Sequence, residues 1–270
     1  VQAAMEVAKL PQNVQLIQLN SFGCGPDSFL MDEAADIMKQ AVKNLTILRI
    51  DEIASPGSVR LRLRSLIESL KTLDTTDFKE PKPYEGYKIP YTEADRNKTI
   101  LVPWFTDFIS PFAPALGELL GYKVKNLPKT NKVSADLGLM YGNNEVCYPS
   151  TLALGDIIQT LQSGEYDLKD IVLAITQTGG QCRATNYLAQ IKNGLQAAGF
   201  NNIPVIALTS GETYQSDQSA FKIDWKKLIN LAIYLILYGD ALQQMHNSIS
   251  VREKTKGASQ EVFDFYIERG

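Results

Sequence analysis

The sequence predicts an α/β fold with Rossmann-like parallel sheets flanked by helices, built as two βα units or subdomains. Short apolar runs typical of buried strands alternate with longer segments whose apolar residues recur at helical spacing. The connections between them are short, which favours layered α/β domains with mainly parallel sheet. The chain has 270 residues, of which 44% are hydrophobic and 21% charged, so it can bury a sizeable core without disulfides.

The predicted elements follow one another in regular alternation. Strands are expected at residues 14–19, 46–50, 99–102, 122–127, 171–175 and 204–208. Helices are expected at residues 28–42, 59–73, 113–120, 183–198, and from Pro149 to Leu161. The tail from residue 225 reads as helical and amphipathic. Its apolar run at 228–238 is too short to cross a bilayer, and we interpret it as a buried core helix.

Composition changes along the chain predict its domain organisation. Residues 74–98 contain three prolines, three tyrosines and many charges, as expected of a linker or surface excursion. We therefore predict a βα unit at 1–80, a linker at 81–98, an α/β domain at 99–215 and a helical tail at 216–270. Because the chain starts at Val1 and shows no leader, we expect a cytoplasmic segment of a longer protein.

Charge and residue counts exclude several classes of function. Lysine and arginine total 27 against 30 acidic residues, a net charge of −3, so a nucleic-acid partner is not expected. No membrane partner is expected either. The single histidine, His246, disfavours a histidine-based zinc site and most histidine general-base chemistry.

The three cysteines all occur where a strand ends or a helix begins. Ligand sites in parallel α/β sheets form at the carboxyl ends of strands. A helix N-terminus there offers unpaired N–H groups that stabilise a thiolate or an anionic cluster. The candidate ligands and the residues that would shape the pocket are Cys24 beside Gly23, Cys147 before Pro149, and Cys182 between the Gly179–Gly180 pair and Arg183.

Other interpretations of the cysteines and of the glycine pair stay open. A single cysteine after a strand is often a small buried hydrophobe. The Gly179–Gly180 pair could instead cradle a phosphate or a CoA pyrophosphate, and Arg183 could pair with an anion or be merely exposed. A further pattern, strand–glycine loop–cysteine–helix–strand, occurs around both Cys24 and Cys182, as an internal duplication or simply as the ordinary length of a βα unit.

Five motifs together carry a family resemblance over residues 14–210. They are QLNSFGCGPD at 18–27, RIDE at 49–52, RLRLRSL at 60–66, CYPS at 147–150 and QTGGQCRATNY at 177–187. In these motifs the chain resembles the large activase-related proteins of the 2-hydroxyacyl-CoA dehydratase (2-hydroxyglutaryl-CoA dehydratase activator) family, of which it would be a C-terminal fragment. The tail beyond residue 212 matches none of these motifs.

The resemblance implies a cofactor, a chemistry and partners. Related dehydratase subunits hold a [4Fe-4S] cluster by three cysteines and leave one iron open, and an ATP-driven activator reduces them by one electron. By position, Cys24, Cys147 and Cys182 would be the ligands. An actin-like ATPase portion of the same or another chain would be the partner and an acyl-CoA the ligand. No Asp-x-Gly-Ser/Thr phosphate loop is present, so we expect no ATPase activity from this segment.

Two other functions are alternatives to the iron–sulfur one. The first is a cluster-free domain that binds a CoA ester or docks a partner subunit. The second is an α/β enzyme with Cys182 as nucleophile, which the lack of a nearby histidine base disfavours.

Overall fold

The structure is a computed structural model. It describes residues 1–20, 27–50, 55–72, 87–143, 147–177, 187–209 and 217–270. Within these ranges the strands are β1 (Leu16–Asn20), β2 (Leu45–Arg49), β3 (Thr99–Val102), β4 (Lys123–Asn126), β5 (Ile171–Thr176) and β6 (Val205–Leu208). The α-helices are α1 (Gln2–Ala8), α2 (Asp27–Gln40), α3 (Pro56–Thr72), α4 (Ala113–Leu119), α5 (Lys132–Tyr141), α6 (Tyr148–Gln162), α7 (Tyr187–Ala197), α8 (Trp225–Ser250) and α9 (Ala258–Ile267).

The strands form two parallel sheets, which confirms the predicted fold class. β1 pairs with β2, and the larger sheet has the order β4-β3-β5-β6 with every neighbouring pair parallel. The order β1-α2-β2 is repeated by β5-α7-β6, the two segments where the sequence shows the same cysteine pattern. In the sequence, the strands of the small sheet precede the predicted linker at 81–98 and those of the larger sheet follow it.

The larger sheet is apolar on both faces, as parallel strands covered by helices must be. Because side chains alternate along a strand, Leu101 and Leu173 face a core that contains residues of α6 and α7. Val172 and Ala174 face the opposite core, which Tyr122 and Phe221 complete. Cores on both faces hold the larger sheet between its helices, and this sets the position of the carboxyl ends of its strands.

Helices α5 and α6 approach each other unusually closely. A Cβ on Gly155 would lie 2.5 Å from the Ser134 carbonyl carbon, and one on Gly138 would lie 2.7 Å from that of Thr151. Asn131 caps α5, since its side-chain oxygen accepts from the N–H groups of the second and third residues of the helix. The sequence patterns predict no helix here, and none at α1.

A buried lysine ties the small sheet to the N-terminal segment. The Nζ of Lys43 lies 2.6–3.1 Å from four backbone carbonyl oxygens, and the side chain is almost fully buried. The acceptors belong to Val7, Leu10, Pro11 and Val14. These bonds satisfy the ammonium that burial would otherwise leave uncompensated.

The interpretation of residues 228–238 as a buried core helix is wrong. This run lies within α8, but Ile229, Ile233, Tyr234 and Leu237 are 49–70% exposed. Only one side of α8 packs against the α4–α9 region, through Leu235 and its neighbours. An apolar run can be either buried or unpartnered, and its sequence does not distinguish the two. None of the helices in the described ranges combines the length and apolar character needed to cross a membrane.

Candidate functional site

The candidate site lies where α6 and α7 begin, at the carboxyl edge of the larger sheet. Helix α6 leads into the start of β5, and α7 leaves its end, so both helix N-termini lie at that edge. As predicted from Pro149, α6 begins directly after Cys147, which occupies the N-cap position with extended backbone (φ −65°, ψ 140°). The Cys147 thiol is half-buried.

Helices α6 and α7 run side by side in a constant register. Cys147 Sγ lies 3.1 Å from Tyr187 Oη, and either atom can be the donor. One turn along, the Ser150 hydroxyl contacts Gln190 Oε1, again at a separation of 40 residues. Parallel helices in this register place Cys147 beside the first residue of α7.

This register places Cys147 against Tyr187, the described residue that follows the Cys182 segment in the sequence. Tyr187 is the last residue of the QTGGQCRATNY motif and comes five residues after Cys182 in the sequence. Cys147 therefore lies next to the described residue that follows the Cys182 segment. The other predicted site residues, Gly23, Cys24, Gly179, Gly180, Cys182 and Arg183, lie outside the described residues.

The middle and end of α2, in the small unit, face α7 across a cleft. A cleft of about 600 Å³ separates α2 from the end of α5 and from α7. Asp36 and Lys39 line it from α2, and Asn143, Gln190 and Asn193 line it from the other side. Burial raises the pKa of Asp36, and the nearby Lys39 ammonium opposes this shift in part.

One amide in the cleft has an unused donor. Gln190 Oε1 is held by the Ser150 hydroxyl, but Gln190 Nε2 is buried and has no hydrogen-bond partner among the described residues. A buried donor without a partner costs about 1–3 kcal/mol, so a ligand acceptor placed there would be favoured. Gln190 is not among the predicted site residues, because a glutamine carries no motif signal. The one available signal is its position three residues after Tyr187, on the same face of the helix.

The described residues hold only part of the predicted ligand set. No group of three His, Cys, Asp or Glu side chains that could bind a metal occurs among them, and Cys147 is the one described cysteine. Its chemistry fits a cluster ligand, since it is a half-buried thiol at a helix N-cap with a hydroxyl donor beside it. His246 is not part of this region: it lies on α8 with its ring 5.4 Å from that of Phe263.

Comparison of the chain with protein-family models, with curated proteins and with solved structures finds no match. Its function is therefore inferred from its own motifs and geometry.

Proposed function

We propose that this chain is an iron–sulfur module of a 2-hydroxyacyl-CoA dehydratase activase-type protein. In this proposal Cys24, Cys147 and Cys182 hold a [4Fe-4S] cluster that leaves one iron without a thiolate. The glycines Gly23, Gly179 and Gly180 would let the backbone pack closely around the cluster, and Arg183 would offset its negative charge. The segment would act with an ATPase activase portion of the same or another chain.

The contact between Cys147 and Tyr187 is the observation that carries this proposal. Three cysteines can share a cluster only if segments far apart in sequence converge. The 3.1 Å contact places Cys147 next to the start of α7, five residues from Cys182. The α2 residues that line the cleft lie more than two turns after the start of that helix, so the convergence of the Cys24 segment belongs to the proposal itself.

The surrounding residues would tune such a cluster. When bound, the group supplies low-potential one-electron transfer and an open iron that acts as a Lewis acid toward an oxygen ligand. Tyr187 Oη would donate a hydrogen bond to the Cys147 thiolate, and the N-terminal turn of α6 would add its helix dipole. Both effects stabilise negative charge on that sulfur.

Anaerobic reconstitution tests the proposal. The 270-residue chain would be treated with iron and sulfide without oxygen, and iron, acid-labile sulfide and the visible spectrum would be measured. We expect about four irons per chain, as a [4Fe-4S] cluster requires. Cys24→Ser, Cys147→Ser and Cys182→Ser should each lose most of the iron.

Replacing His246 gives the matched control. His246→Ala removes the only histidine, which lies outside the site, and should leave the iron content unchanged. If the unmodified chain binds no iron, or if the three serine variants retain it, the proposal fails. A loss of iron in His246→Ala would show that the ligand set is wrong.

The polar cleft favours a second candidate, a cluster-free domain that binds a CoA ester. Its lining is rich in amide side chains, and Gln190 Nε2 offers an unused donor. The discriminating variant has all three cysteines replaced by serine. Saturable binding of a CoA ester by that variant, lost on Gln190→Leu, would support this candidate; no binding by the triple variant would exclude it.

A further inference from the structure

Helix α8 carries two apolar faces, and only one has a partner in the described part of the chain. The inner face contributes Leu235, Tyr238 and Leu242, which pack against Phe112 and Phe263. On this side Gly239 is buried, because its backbone lies against Phe108. The opposite face is also apolar, but it is exposed.

The outer face has the spacing of a helix-pairing surface. Ile229, Ile233 and Ile236 follow one another at intervals of four and three residues, which aligns them along one side of a helix. Their exposed fractions are 53%, 49% and 47%, and the adjoining Leu237 is 60% exposed. Soluble proteins rarely leave a continuous patch of this kind uncovered.

Opposite charges mark the two ends of this face. Lys226 lies seven residues before Ile233, and Asp240 lies seven residues after it. Seven residues are close to two helical turns, so both charges lie on the same side as Ile233. Both side chains are exposed. The two charges are therefore equally spaced from Ile233 and opposite in sign.

We propose that the outer face of α8, defined by Lys226, Ile229, Ile233, Ile236 and Asp240, pairs antiparallel with the same face of a second copy of this chain. In that arrangement Lys226 of each copy lies beside Asp240 of the other. A parallel pair would instead place like charges together, which is unfavourable. A two-fold axis near Ile233 makes the contact isologous, so assembly stops at two copies.

The size of the contact sets the expected affinity. Lys226 and Asp240 are about 21 Å apart along the helix at the standard rise per residue. A contact confined to one helix pair falls below about 1,200 Å², the class of weak and transient complexes. Dissociation is therefore expected in the micromolar range rather than the nanomolar range. The proposal is independent of the cluster, because it uses no residue of the candidate site.

Sedimentation velocity of the full 270-residue chain tests the pairing. A concentration range from about 1 to about 200 µM covers the dissociation constants expected of a small interface. The unmodified chain should shift from monomer to dimer within this range. Ile233→Asp, which places a charge at the centre of the contact, should remain monomeric throughout.

Leu231→Asp is the matched control. Leu231 is also exposed and lies on α8, but about 160° around the helix from Ile233, so its replacement should leave the dimer intact. Circular dichroism melting would verify that both variants fold. A monomer at every concentration, or an open-ended series of larger oligomers, would overturn the proposal, as would equal weakening by the two variants.

A charge exchange tests the antiparallel orientation. Lys226→Asp and Asp240→Lys should each weaken the dimer roughly 10-fold, because each change affects two symmetric pairs of exposed charges. The double variant restores opposite charges and should recover most of this loss. If the double variant is as weak as the sum of the single changes, the orientation is wrong.

Discussion

The close crossing of α5 and α6 makes a sharp prediction for Gly155→Ala. The added Cβ would lie 2.5 Å from the Ser134 carbonyl carbon and 3.0 Å from the Gly138 nitrogen. Both atoms belong to backbone, so no side-chain rotation relieves the overlap. The Ser134 carbonyl oxygen is closer still, so the two helices must separate by well over 1 Å to restore ordinary contact distances of about 3.4 Å.

The expected loss follows from two opposing contributions. Overpacking of a well-packed core costs about 1–3 kcal/mol and more where backbone must move. The higher helix propensity of alanine returns about 1 kcal/mol. Because backbone atoms must move, we take the upper end of the overpacking range and expect Gly155→Ala to lower the free energy of unfolding by about 2 kcal/mol. The Cys147–Tyr187 contact should also change, since Cys147 is the N-cap residue of the helix that contains Gly155.

Equilibrium denaturation in urea measures this loss, and Gly194→Ala is the control. Gly194 also lies inside a helix, so it gains the same helix propensity. Its added Cβ would meet the tips of the Leu154 side chain, 2.5–2.6 Å away, which can move more easily than backbone. If Gly155→Ala is no less stable than Gly194→Ala, the backbone contact between α5 and α6 is not as tight as described.

Three further predictions concern single side chains. Tyr187→Phe should make the midpoint potential of the reconstituted cluster more negative by roughly 20–60 mV, because it removes one neutral hydrogen bond to the Cys147 sulfur. Protein-film voltammetry measures this potential, and an unchanged value would contradict the prediction. Asp156→Asn should flatten the pH dependence of stability above about pH 4. Burial raises the pKa of Asp156 in the folded state, so the native chain binds more protons than the unfolded chain and loses stability as the pH rises. Urea denaturation at several pH values measures this dependence, and an equally steep loss of stability in the variant would contradict the prediction. Gln218→Ala should lower the free energy of unfolding by about 2–4 kcal/mol, because the Gln218 side chain accepts from the N–H of buried Ala207 and donates to its carbonyl. A fall in melting temperature no larger than that of an exposed glutamine variant would refute this.

The strands and the start of α6 could be predicted because their signals are local. The apolar runs alone predicted β3 with the observed bounds and the other strands to within two residues. Pro149 predicted the first turn of α6, because a proline fits where no backbone donor is needed. These properties depend on the residues of one short segment.

Helix α5 shows why local signals also fail. Gly138 in the middle of this segment lowers its intrinsic helix propensity, so the sequence predicts no helix there. In the folded chain the same glycine allows the backbone of α5 to approach Thr151 of α6. A residue that weakens the isolated helix is thus the one that its packing requires.

The candidate site divides in the same way. By itself the sequence determined the fold class, the alternation of elements and the position of Cys147 at a helix start, because these follow from propensity and periodicity within short segments. The tertiary structure decided that Tyr187 lies against Cys147, that Gln190 and Asp36 share a cleft, and that the apolar run of α8 is exposed. Each of these is a relation between segments distant in the chain, set by how helices pack on a common sheet, and no single segment encodes it.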